Sequence, residues 1–133
     1  MEADLTEKEK GTAFYGGEAV PVDEGAEAFV ELLSANNVKY IFLNPGTDIL
    51  PIIEAVSKFK FLGKRSPELI LSHHESLAMT AAHGYFMVSE QPQVVLVHVD
   101  VGTQQVGGAL HNAQRGMAGI ILCAGRAPWT TEG

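Results

Sequence analysis

Apolar positions recur along this chain with two different spacings, and the two spacings alternate. After Asp23, which suits a helix N-cap, Ala26, Phe29, Val30 and Leu33 fall three or four residues apart, the period that lines one face of an α-helix. Asn36 and Asn37 follow, a residue type that tolerates the left-handed turn closing such a helix. Residues 38–43 form a short continuous apolar run rich in strand formers, and Asn44-Pro45-Gly46-Thr47-Asp48 breaks it and offers a cap to the next helix. That helix is predicted over 49–59 on Ile52, Ile53, Val56 and Phe59, with Pro51 admissible because it falls in the first turn. Residues 61–67, with Gly63 and Pro67, predict a loop.

The second half repeats the alternation. A strand is predicted over 69–72 and a helix over 76–90, where Leu77, Ala78, Ala81, Ala82, Tyr85 and Phe86 keep one face apolar. Gly84 interrupts that helix at about 1 kcal/mol relative to Ala, so a backbone or ligand is expected to pack close to it. Residues 94–99 predict a third strand, apolar on both faces apart from His98, which runs into Asp100-Val101-Gly102-Thr103. A helix over 104–115 carrying Gly107, Gly108 and Ala109, then a strand over 119–124, complete the pattern.

Strands that are apolar throughout and separated by helices imply right-handed crossovers and a parallel sheet covered on both faces. The expected fold is therefore α/β, a three-layer doubly wound parallel sheet of the flavodoxin-like kind. The sequence ends soon after the fourth strand with no closing helix, so the domain is expected to be truncated there. One face of that strand should then be uncovered, awaiting a missing piece or a partner. Residues 1–22 mix charges with glycine and small residues and predict a mobile arm, leaving 23–133 as one domain.

Composition narrows the function. The net charge of −7, with 9 Lys and Arg and no basic cluster, disfavours nucleic acid as a partner. No apolar run approaches the ~18 to 20 residues that span a bilayer, and the acidic start lacks the basic flank of a signal peptide, so a soluble cytoplasmic protein without a membrane partner is expected. Cys123, the single cysteine, lies in an apolar run and is expected to be a buried packing residue.

The carboxyl ends of three predicted strands should lie on one rim, gathering Asn44 to Thr47, His73 to Glu75, and His98 to Thr103. Glu75 has two readings, an acid favouring a helix dipole or a catalytic carboxyl group. His98 likewise is either a satisfied core histidine or a catalytic one. His73 and His74, as strand neighbours, should point to opposite faces, one packed and one solvated. No H-E-x-x-H spacing follows them, so no metal site is assigned to this chain. Gly102-Thr103 matches no phosphate-loop pattern, and no G-x-S-x-G occurs.

Four segments in register resemble the pyrimidine-binding domain of thiamine diphosphate enzymes: Asn44-Pro45-Gly46-Thr47; His74-Glu75 with Ala81-Ala82-His83-Gly84-Tyr85; His98 with Gly102-Thr103; and Gly108-Ala109-Leu110-His111-Asn112-Ala113. The resemblance, over residues 23–128, is to the acetolactate synthase, benzoylformate decarboxylase and pyruvate decarboxylase group. It implies that Glu75 shares a proton with the pyrimidine ring nitrogen of thiamine diphosphate and favours the imino tautomer that deprotonates the thiazolium. It implies Thr47 as the residue orienting a 2-oxo acid carboxylate and His98 as a proton-transfer group, with Pro45, Gly46, Glu75 and Gln105 at the cofactor. Asp100 stands where relatives have small residues, and Gln105 where many have Asn.

The family's magnesium and diphosphate are held by a Gly-Asp-Gly domain that this sequence lacks. The resemblance therefore implies a partner, either a second copy in a homo-oligomer or a separate diphosphate-binding subunit. The activity implied is that of a 2-oxo acid decarboxylase or carboligase, a lyase or transferase. The alternative is a catalytically inactive truncated paralogue serving as an interaction or small-ligand module.

Overall fold

The computed structural model describes residues 20–126, and the arm expected over 1–22 falls outside them except for its last three positions. At the centre of the sheet lie β1 (Tyr40–Asn44) and β3 (Gln93–Val97), whose middle residues are buried on both faces. The edge strands β2 (Glu68–Leu71) and β4 (Ile120–Ala124) complete the order β2-β1-β3-β4, and every neighbouring pair is parallel. This is the doubly wound α/β arrangement expected. Leu43 pairs with Leu71, Asn44 with Val97 and Val97 with Ala124, so all four strands end on the same edge.

Side-chain alternation sorts the core into two layers. Ile41 and Leu43 of β1 and Val94 and Leu96 of β3 face α1 (Gly25–Ala35) and α2 (Leu50–Phe61), joining Leu33, Val38 and Ile49. Val30 of α1 meets Ala55, Val56 and Phe59 of α2. Phe42, Val95 and Val97 face the other way, onto Ala78, Met79 and Ala82 of α3 (Glu75–Ser89) and Ala109 and Ala113 of α5 (Gly107–Arg115). Gln93 is wholly buried, yet satisfied: its Oε1 accepts from the amides of Lys39 and Tyr40, and its Nε2 donates to the carbonyls of Gln91 and Pro92. It locks the start of β3 to the start of β1.

Several boundaries differ from expectation for identifiable reasons. Glu24, not Asp23, is the N-cap of α1; the Asp23 carboxylate is drawn away to Lys58 of α2 at 2.7 Å, and Lys58 also binds Glu27. Asn37 does take the left-handed conformation, at φ +57°. The single helix expected over 104–115 is two, α4 (Val99–Gln105) and α5, broken at Val106, which is buried in the α3/α5 layer ahead of Gly107-Gly108. Gly84 is exposed, and among the described residues a Cβ there would meet nothing within 4 Å, so no backbone among them packs against it.

Edge strand β4 buries Ile120 and Leu122 partly against the α3/α5 layer. On the opposite face Ile121 is 43% exposed. Cys123 is half-buried rather than fully buried, and desolvation pushes its thiol pKa up. No helix among the described residues is long and apolar enough to cross a membrane.

Candidate active site

The rim at the strand ends is built from three strand-to-helix crossings. The first is a 3-10 turn, Thr47–Ile49, that follows β1 and leads into α2. The second places His74 as N-cap of α3: its ring Nδ1 accepts from the Ser76 amide at 3.2 Å and lies 2.8 Å from the Ser76 hydroxyl. Because β2 stops at Leu71, His73 and His74 lie beyond the strand and both are exposed, instead of one packing inward. The third crossing starts α4 directly after β3, so His98 is an N-cap residue just past the strand and not a core histidine within it.

Glu75 opens α3 and is buried, its side chain only 10% exposed. Its carboxyl group has no hydrogen bond among the described residues, and its Oε2 lies 4.0 Å from His74 Nδ1. Gly102 of α4 makes this burial possible. A Cβ on Gly102 would come within 3.3 Å of Glu75 Oε1 and 3.1 Å of Val97 Cβ, so a larger residue would crowd the carboxyl group against the end of β3. The Gly102 amide donates to the His98 carbonyl at 2.7 Å. Glu75 and His98 are thus both carried to the first turn of α4.

His98 is partnered by a residue that the sequence marked only as a helix cap. Its Nδ1 is hydrogen-bonded to Asp48 Oδ1, and Asp48 Oδ2 accepts from the Val99 amide at 3.3 Å. The Asp48 side chain is 9% exposed, that of His98 36%. Burial pushes the Asp48 pKa up, but the hydrogen bonds from His98, from the Val99 amide and from its own amide outweigh it and hold the carboxyl below its ordinary 3.8. An ionised carboxylate only accepts, so Nδ1 carries the proton of a neutral His98 ring and Nε2 keeps its lone pair.

Two glycines make room for this pair. A Cβ on Gly46 would lie 2.6 Å from His98 Cε1 and closer still to Nδ1 and Cγ; a Cβ on Gly125, just past β4, would lie 2.8 Å from Asp48 Cβ. Thr47 is exposed and its hydroxyl makes no hydrogen bond among the described residues, and Pro45 beside it is also exposed. Gln105 is exposed in the last turn of α4, about 10 Å along the helix from the end of β3. The structure therefore gathers Gly46, Glu75 and His98, with Thr47 and Pro45 on the same bend, and sets Gln105 apart. Asp48 and Gly125 are the additions. Nothing local in the sequence marks Gly125, whereas an acid on the same rim as His98 was a discoverable partner.

A model of the thiamine pyrophosphate enzyme N-terminal TPP-binding domain matches residues 23–133. The chain belongs to this family. Within the family, mitochondrial acetolactate synthase of Schizosaccharomyces pombe is 32% identical over 111 residues, covering 82% of this chain and 16% of the relative. Benzoylformate decarboxylase of Pseudomonas aeruginosa is 29% identical over 100 residues, covering 74% of this chain and 17% of the relative. Among solved structures, the thiamine diphosphate-dependent 4-hydroxybenzoylformate decarboxylase of Rhodococcus jostii superposes with a TM-score of 0.67 at 27% identity, over 76% of this chain and 18% of that one. The chain thus spans less than a fifth of the length of each of these proteins.

Proposed function

We propose that this chain is the pyrimidine-binding half-site of a thiamine diphosphate-dependent enzyme acting on 2-oxo acids, by decarboxylation or carboligation. The observation that carries this reading is Glu75, whose side chain is nine-tenths buried on the rim and whose carboxyl group has no hydrogen-bond partner among the described residues. A largely buried carboxyl group on the rim whose oxygens are bonded to none of the described residues is available to a ligand that offers it a contact. A ring nitrogen of an aminopyrimidine matches this carboxyl group in donor and acceptor terms, so the residues present suit the cofactor. When bound, thiamine diphosphate supplies the electron sink for breaking or making a bond beside a carbonyl.

In this reading Glu75 holds and moves a proton at the pyrimidine nitrogen, and Gly102 lets α4 pack close beside the carboxyl group. His98, with Nε2 free to accept, moves protons at the substrate. Thr47 offers an unengaged hydroxyl to the 2-oxo acid carboxylate, and Pro45 and Gly46 shape the bend beside the cofactor. Gln105, exposed in the last turn of α4, is assigned to the cofactor by the family resemblance alone. In this reading magnesium and the diphosphate are held by a diphosphate-binding domain outside the described residues.

The deciding experiment is calorimetric titration with thiamine diphosphate and magnesium, alone and with a diphosphate-binding partner, followed by turnover of a 2-oxo acid by the wild type and Glu75→Gln. Cofactor binding retained in Glu75→Gln with turnover lost is the expected result. Undiminished turnover refutes the role given to Glu75. No binding heat with any partner identifies a non-catalytic module instead.

A further inference from the structure

We propose that Asp48 is the positioning residue for His98, fixing the tautomer of its ring and the backbone turn that carries it. The proposal rests on the reading of His98 as a proton-transfer group only for its catalytic consequence; the structural claim stands on geometry. One carboxylate makes both contacts. Oδ1 accepts a hydrogen bond from His98 Nδ1–H, and Oδ2 accepts one from the amide of Val99, the residue that follows. Val99 needs holding: it has φ +22°, outside the regions a β-branched residue ordinarily occupies.

The carboxylate is itself held in place from three sides. Gly125 leaves no room for a side chain between the end of β4 and Asp48, and Gly46 leaves none beside the imidazole. The 3-10 turn that carries Asp48 is closed by the Ile49 amide donating to the Gly46 carbonyl at 3.3 Å. The dyad therefore joins β1, β3 and β4 at their carboxyl ends. Neutral imidazole without a partner favours the proton on Nε2, which would put a donor where an acceptor is needed. Asp48 reverses that preference.

The test is ring nitrogen NMR of His98 and amide exchange at Val99 in the full chain, wild type against Asp48→Ala, Asp48→Asn and Gly125→Ala. In the wild type the neutral ring carries its proton on Nδ1. In Asp48→Ala the proton moves to Nε2, and the Val99 amide exchanges at least about tenfold faster, as expected for a hydrogen bond lost. Asp48→Asn has one acceptor oxygen, so one of the two signals changes and the other persists. Gly125→Ala displaces the carboxylate while leaving its charge, and gives the Asp48→Ala spectrum in a chain whose Asp48 is intact. If Asp48→Ala fails to fold, the other two variants decide.

An unchanged tautomer together with unchanged Val99 exchange in the folded variants overturns the proposal. Turnover separates the two claims. If His98→Ala leaves turnover intact while the spectra shift as stated, the catalytic reading of His98 is wrong and the positioning role of Asp48 holds. If His98→Ala abolishes turnover but the spectra do not move with Asp48, the reverse is true.

Discussion

Replacing Gly46 by Ala tests the rim most directly, because the backbone there would accept any residue. Gly46 has φ −120° and ψ −178°, an extended conformation, so alanine adds a methyl group without a dihedral penalty. That methyl carbon would lie 2.6 Å from His98 Cε1 and nearer to Nδ1 and Cγ, where unbonded carbons settle at about 3.5–4.0 Å. The ring must withdraw by roughly 1 Å or more, and withdrawal breaks its bond to Asp48. Overpacking of this kind costs about 1–3 kcal/mol. His98 is partly exposed and can swing outward, so the cost to stability should fall at the lower end of that range.

Turnover has no such escape, since a misplacement of about 1 Å can cost on the order of 100-fold in rate. The assay pairs urea midpoints with 2-oxo acid turnover for Gly46→Ala, His98→Ala and the double variant. Removing the ring removes the collision, so in the His98→Ala background the added methyl should change stability by less than about 0.5 kcal/mol. An equal penalty in both backgrounds, or none in either, refutes the packing argument.

Three further outcomes follow from contacts in the frame. Gln93→Leu leaves the Lys39 and Tyr40 amides without their acceptor and should cost about 1–3 kcal/mol in urea unfolding. Phe59→Ala, at a side chain 1% exposed where α2 meets α1, should cost about 3–5 kcal/mol by the same measurement. Stability should also fall on acidification. The Lys58 hydrogen bond lowers the pKa of Asp23 from 3.8 and that of Glu27 from 4.5, Glu27 being helped by the Asp23 amide, while against burial the bonds from His98 and Val99 lower Asp48. Groups depressed in the folded state stabilise it above those ordinary values and lose their contribution as pH falls through the folded ones, so urea midpoints should drop below about pH 4.5, and Lys58→Met should flatten that limb. Lys58 itself is raised from 10.5, chiefly by its bond to Asp23 and then by Glu27, so its share is present below that value and lost only at strongly alkaline pH.

The architecture was legible because it is carried by period. Continuous apolar runs marked β1 and β3, and three- and four-residue spacings marked α1, α2 and α3, each set by contacts with near neighbours in sequence. What escaped the sequence was carried by distant residues. Val99 begins α4 several residues before the expected helix because a carboxylate 51 positions away receives its amide. Asp23 looked like a cap, yet Lys58, 35 positions on, claims its side chain. The rim itself could be assembled from strand ends, and Glu75 and His98 were placed on it. An acid on that rim was a discoverable partner for His98, but the role of Gly125 was not, since the fit of Asp48 between Gly125 and the His98 ring depends on the register of β3 against β4.

Glu75 allows the catalytic and the merely structural readings to be separated by stability alone. If it served the fold as a first-turn acid on the dipole of α3, removing the carboxyl group should cost about 0.3–1 kcal/mol. The geometry argues for the opposite sign. The side chain is 10% exposed and its carboxyl group is bonded to none of the described residues, so its partial burial is offset by no hydrogen bond among them, a cost of about 1 kcal/mol by analogy with other partly buried polar groups. Glu75→Leu, which keeps the bulk and discards the polar atoms, should therefore raise the urea midpoint by the equivalent of about 1 kcal/mol while abolishing cofactor-dependent turnover. A lower midpoint with turnover preserved would return Glu75 to the helix dipole and leave the rim without its central acid.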